Sequence, residues 1–217
     1  QETFDFIYDD PSRRSDVKGK VFLLKDCEPN LPEHIDFLFE KTDCLLIKVS
    51  PILDISSAIN ELKFVKEVHV VAVQGEVKEL LFLAEKYATE DIQIKTINFQ
   101  KNKIETFDFI YKSQAASVYS LPSNYLYEPN AAILKSGGFH QIAQQLKVQK
   151  LHRHSHLYTS ENPINFPGRI FEIEDVINYD KKKIKKQVAT SKANVTTRNF
   201  PKTVQQIRKE LKLKDGG

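Results

Sequence analysis

The chain has 217 residues, of which 41% are hydrophobic and 28% charged, values of a globular chain rather than a disordered one. That length accommodates one large domain or two small ones. No apolar run approaches the ~18 residues a membrane helix needs, no signal-peptide pattern opens the chain, and two cysteines without CxxC spacing argue against a disulfide framework or a structural zinc site. A reducing cytoplasm fits that cysteine use. There is no methionine and the first residue is Gln, so the sequence is expected to be a trimmed piece of a longer product.

The alternation of Phe4, Phe6 and Tyr8 predicts a strand over 3–9. A polar connection over 11–31 contains one apolar patch, Val21 to Leu24. Pro32 opens a helix whose stripe is Ile35, Leu38 and Phe39. The apolar run Cys44–Val49 predicts a strand buried on both faces, and Asp54 is placed to cap a helix through Leu62. A strand over 66–73, a helix over 76–87 and a last strand over 91–99 follow. This alternation predicts a mostly parallel sheet with helices on its faces. Glu2 to Tyr8 recurs identically as Glu105 to Tyr111. Both copies read as alternating strands, with no functional link expected.

Further on, Tyr125 and Tyr127 sit in a turn-rich stretch, where they could stack on bases or pack with a solvated hydroxyl. A helix over 131–134 ends at Gly137-Gly138, and a second carries Phe139, Ile142, Ala143 and Leu146 on one face. His152, His154 and His156 would share a strand face, yet no carboxylate or cysteine completes a ligand set nearby, so no metal site is assigned. The expected last unit is a strand from Ile170 with Phe171 and Ile173 inward, a basic helix over 180–191, a strand over 193–200 and a helix after Pro201 with Val204, Ile207 and Leu211 inward.

Two features carry chemistry. At the end of the first strand, Asp10 offers a carboxylate, Pro11 a stiff turn, and Arg13 and Arg14 guanidiniums for phosphate or carboxylate. Ligands of open α/β sheets bind at such strand ends. An ordinary strand-end turn with a solvated basic pair accounts for the same spacing. The second feature is charge. From Lys181 to Gly217 there are twelve basic and two acidic residues, so this segment carries +10 and residues 1–180 carry −7. Lys181, Lys182, Lys183, Lys185 and Lys186, followed by Lys192, Arg198 and Lys202, point to an anionic partner. A solvated lysine-rich helix face is the plainer alternative.

Asp10-Pro11-Ser12-Arg13-Arg14, with Gly19 to Phe22 and Asp26 to Asn30 after it, resembles a bacterial family of class I S-adenosylmethionine-dependent methyltransferases that carry a C-terminal THUMP-like domain. Asp10 to Arg13 resembles the family's Asp/Asn-Pro-Pro-aromatic motif, with Ser12 in place of the second proline and Arg13 in place of the aromatic. Tyr125 to Ile133 resembles the family's small ferredoxin-like linker domain. The unit from Phe166 onward, ending in Asp215-Gly216-Gly217, resembles its THUMP-like domain without the last strand, which would leave an exposed edge.

The resemblance implies an α/β fold: the C-terminal half of a Rossmann-like methyltransferase sheet (1–100), a ferredoxin-like linker (101–165) and an α+β THUMP-like domain (166–217). It implies S-adenosylmethionine as cofactor and RNA, tRNA or rRNA, as partner. Asp10, Pro11, Ser12 and Arg13 would line the acceptor site, with Ser50-Pro51 as another wall, and Arg14 and the C-terminal bases would hold RNA. No glycine-rich loop or ribose-binding acid is present, so weak or no cofactor binding is expected of this chain. A non-catalytic RNA-binding module, or a methyltransferase acting on a small molecule or protein, remains the alternative.

Overall fold

The computed structural model describes residues 2–12, 14–15, 19–20, 23–188 and 190–216. They form two compact units: residues 1–117 with 129–147 and 165–169, and residues 118–128 with 148–164 and 170–217.

The first unit is built on a six-stranded mixed sheet. Strand β1 (Ile7–Asp9) leads to the two-residue strands β2 (Arg14–Ser15) and β3 (Gly19–Lys20), which pair with each other, and then to a 3-10 turn over 24–26. Helix α1 (Leu31–Phe39), strand β4 (Cys44–Val49) and helix α2 (Ile55–Glu61) follow. Asp54 caps α2 by accepting from the Ser57 N–H at 2.8 Å. Then come β5 (Val65–Val73), β6 (Glu76–Glu85), β7 (Gln93–Phe99) and β8 (Ile104–Ile110). The sheet order is β1-β4-β6-β5-β7-β8. Pairs β1–β4 and β5–β7 are parallel; β4–β6, β5–β6 and β7–β8 are antiparallel. Leu45, Ile47, Val68, Val70, Leu80 and Phe82 are fully buried along it.

Two expectations fail here. The segment 76–87 is a strand, not a helix, and the sheet is mixed rather than mostly parallel. Gln74 and Gly75 both have positive φ, 50° and 80°, the backbone of a tight hairpin turn. That turn folds Glu76–Glu85 back between β4 and β5. Its side chains alternate, with Leu80, Phe82 and Ala84 on the buried face, so sheet burial overrides the helix propensity of Glu, Lys, Leu and Ala. The expected 3–9 strand is regular only over Ile7–Asp9.

After β9 (Tyr125–Pro129), helix α3 (Ala131–Ser136) is capped by the Asn130 side chain and ended by left-handed Gly137. It packs on β5, β6 and β7. Helix α4 (Phe139–Gln145) buries Ile142 and Ala143.

The second sheet, in the order β10-β11-β9-β12, adds β10 (Gln149–Lys150), β11 (Tyr158–Ser160) and β12 (Gly168–Glu172). Helices α5 (Lys181–Gln187) and α6 (Val204–Leu211) complete the chain. Asp180 caps α5, and Thr203 with Gln206 forms a capping box on α6. Residues 193–200 are not a strand; Lys192 and Lys214 make an isolated bridge beside them. The basic helix is shorter than expected, and Phe171 faces outward at 42% exposure. Among the described residues beyond 168, Ile207 and Leu211 are the buried apolar side chains, too little burial to impose the full alternation.

Candidate active site and nucleic-acid interface

Strands β1 and β4 run parallel, so both deliver their carboxyl ends to one edge of the sheet. There Asp10 Oδ2 lies 2.5 Å from Lys48 Nζ, on β4. The Asp10 carboxylate raises the Lys48 ammonium above its ordinary value. Pro11 is buried. Ser12 is pinned to Glu28 by paired backbone bonds of 2.7 and 3.2 Å. The turn is therefore held from both sides: by β4 through Lys48, and by the 24–30 segment through Glu28. That segment is itself tied down. Leu24 and Cys27 are buried, and the Lys25 N–H donates to Glu61 of α2 at 2.9 Å. Ser50, at the end of β4, is buried, and its Oγ accepts from the Ile52 N–H. Arg13 and the side chain of Arg14 lie outside the described residues.

The sequence reading passed over Asp9. Its Oδ2 is buried and has no hydrogen-bond partner among the described residues. Burial pushes the Asp9 carboxyl up, the neighbouring Asp10 charge adds to this, and a backbone N–H opposes it. A carboxylate with an open, desolvated lone pair beside a charged turn is a hydrogen-bond or proton acceptor waiting for a donor. Asp9 and Asp10 are neighbours in the sequence; the burial of Asp9 and the cross-strand Lys48 on Asp10 separate their roles.

The predicted basic set divides in two. Lys181, Lys182, Lys183, Lys185 and Lys186 are exposed along α5, without an ion-pair partner among the described residues, and Lys192 is exposed after it. By contrast, Arg198 is paired with the buried Glu128. Lys202 is held 2.8 Å from both Glu210 oxygens. Within this set the free positive charge sits on α5 and at Lys192, while Arg198 and Lys202 hold the unit together.

The other candidates resolve simply. Tyr127 is fully buried; its hydroxyl lies 2.7 Å from Ser160 Oγ and accepts from the Ile164 N–H, so it cannot stack on a base. Residues 152–156 form a turn rather than a strand, with the His152 and His154 rings 5.5 Å apart. Among the described residues no group of three or more His, Cys, Asp or Glu side chains is placed to hold a metal ion. Nor is any helix among them long and apolar enough to cross a membrane.

Comparison with known proteins places the two C-terminal segments. Residues 125–167 match a ferredoxin-like domain family, and residues 168–217 match a family described as THUMP domain-like. The crystal structure of a putative methyltransferase from Porphyromonas gingivalis W83 matches at 36% identity with a TM-score of 0.86. The match covers 98% of this chain and 54% of that one, so the chain spans about half the length of that protein. No match was found among curated proteins.

Proposed function

We propose that this chain is the acceptor-side and RNA-holding portion of a cytoplasmic class I S-adenosylmethionine-dependent RNA methyltransferase. The likeness to the Porphyromonas gingivalis structure, which spans the sheet and the lysine-bearing unit together, carries this reading. In it, residues 1–100 present the acceptor site, 101–165 link, and 166–217 grip tRNA or rRNA.

S-adenosylmethionine supplies an electrophilic methyl carbon when bound. Its ribose and adenine call for a glycine-rich strand-to-helix turn and a later acidic residue. The open Asp9 oxygen instead fits an N–H or O–H donor. The described residues thus suit the acceptor side of a transfer site.

On that side, Asp9 accepts a hydrogen bond from the group to be methylated and holds it in line for attack. Asp10, fixed by Lys48, keeps the turn rigid. Pro11 stops the strand from running on as helix, and Ser12, pinned to Glu28, sets the floor. Arg13 and Arg14 anchor a phosphate, and Ser50-Pro51 closes a further wall. The α5 lysines neutralise RNA phosphates and give an affinity that falls with salt.

The test is methyl transfer from labelled S-adenosylmethionine to RNA by the full-length protein. Asp9→Asn and Asp10→Ala should each cut transfer by about 100-fold or more, with RNA affinity within about twofold of wild type. Wild-type turnover in both variants would remove this strand end from the mechanism.

A further inference from the structure

We propose that Tyr179 and Phe200 form a stacking platform for an unpaired RNA base, set beside the lysines of α5. The proposal rests on the RNA-binding reading above and adds the form of RNA that is held: a single strand or an extruded nucleotide rather than a duplex.

The two rings come from separate segments and meet with centroids 5.0 Å apart, tilted by 58°. Tyr179 is 36% exposed and Phe200 40%. Single exposed aromatics are ordinary; two rings in contact, with an open face and rimmed by charge, make a surface suited to a flat ligand. Tyr179 is also anchored. The Tyr179 hydroxyl donates to Glu210 Oε2 at 2.9 Å, and Lys202 Nζ lies 4.8 Å from the centre of the Tyr179 ring. Tyr179 therefore acts as a positioning residue, and Phe200 is the ring left to stack. A pre-fixed ring loses little freedom when a base covers it.

The charge around the pair suits a polyanion. Tyr179 stands directly before Asp180, the cap of α5, so the platform lies at the end of the helix that bears Lys181, Lys182, Lys183, Lys185 and Lys186. Glu210, the carboxylate that the Tyr179 hydroxyl bonds, is compensated. Lys202 bonds it and holds its carboxyl below the usual range, with Lys181 contributing at longer reach. With Glu210 compensated and Asp180 committed to capping α5, the α5 lysines set the local charge that an incoming phosphate meets. A base in a duplex has its faces occupied by its neighbours, so the ring offers nothing to it; an unpaired base gains stacking.

The test uses the whole 217-residue chain, a 12-nucleotide unstructured RNA, and a 12-base-pair RNA duplex. The chain contains no tryptophan, so Phe200→Trp introduces a single fluorophore at the platform. Its emission should be quenched by the single strand and not by the duplex. Phe200→Ala should weaken single-strand binding by about tenfold or more, leaving duplex binding and the salt slope unchanged. Phe200→Leu, which keeps apolar volume but has no ring, should behave like the alanine variant and guards against misfolding, checked by circular dichroism. Single-strand binding by the Ala and Leu variants equal to wild type, with salt-dependent binding retained, would overturn the platform and leave the RNA-binding reading standing. No RNA binding by the wild-type chain would overturn that reading and the platform with it.

Discussion

The same seven residues, Glu-Thr-Phe-Asp-Phe-Ile-Tyr, occur twice in this chain and end in opposite environments. In the second copy Phe107 and Phe109 are 7% and 6% exposed; their counterparts Phe4 and Phe6 are 51% and 48% exposed. Both copies carry the same alternation and the same β propensity. What differs is what lies against them. The second copy is β8, paired along its whole length with β7, and Gly138 comes so close that a Cβ there would lie 2.6 Å from the Phe109 ring. Its Glu105 is bonded by the Asn98 and Asn130 amides, at 2.8 and 3.0 Å. The first copy is regular only over β1, beside β4 alone. Periodicity states which residues share a face; the neighbouring elements decide whether that face is covered.

That contrast can be broken at several levels. The largest effect is expected from the matched pair Phe109→Ala and Phe6→Ala. Thermal or urea unfolding should show a loss of about 3–5 kcal/mol for the first and within about 1 kcal/mol for the second in this 217-residue chain. Equal losses would mean that the first copy is packed as deeply as the second. Gly138→Ala should cost about 1–3 kcal/mol through overpacking against Phe109, since its own backbone tolerates alanine. Combining it with Phe109→Leu should recover part of the loss, and strict additivity would place the strain elsewhere.

The carboxylate pair sharpens the comparison further. Burial pushes the Glu105 carboxyl up, but Lys103 and the two asparagine amides more than offset it, leaving it below the usual glutamate range. Its contribution is therefore complete above the unfolded-state value of about 4.3 and is lost as pH falls through the depressed folded value. Glu105→Gln should cost about 1–3 kcal/mol at neutral pH, and its deficit should shrink as denaturation is followed from about pH 5 down to pH 3. Glu2→Gln should change stability by less than about 0.5 kcal/mol throughout. A deficit at Glu105 that does not vary with pH would mean the carboxylate is not ionised there.

The remaining effect has the opposite sign. Burial raises the Asp9 carboxyl, so ionising it in the fold costs stability, and Asp9→Asn should stabilise the fold at neutral pH by at most about 1 kcal/mol, discounted for the partial exposure of Asp9, with the gain fading toward acid. A stabilised but inactive variant is the expected signature of a site strained for function.

The features that could be read from the sequence are those with local causes. Asp54 and Gly137 punctuate their helices where side-chain and backbone chemistry require. The Asp-Pro turn at the end of β1 is of the same kind. Glu76–Glu85 could not be read, because its strand conformation comes from the two sheet neighbours that bury Leu80 and Phe82. The roles within the site were equally hidden. Which of Asp9 and Asp10 is engaged depends on Lys48, 38 positions on from Asp10 in the chain. The surplus of positive charge near the C-terminus is plain from composition, but the split between the open α5 lysines and the committed Arg198 and Lys202 needs Glu128 and Glu210 in place.

The reversed strand β6 also bears on how the sheet assembles in time. It is joined to β5 by Gln74 and Gly75 alone, whereas β1 meets β4 only after a closure of more than thirty residues. Hairpins close in microseconds, and long closures lose more chain entropy before any contact forms. We therefore expect β5–β6 to be the template that β4 and β7 dock onto, with β1 arriving last. Substitutions at Phe82 should then slow folding, and those at Ile7 should chiefly speed unfolding. The strand end proposed to meet the substrate would be the final piece of the sheet to set.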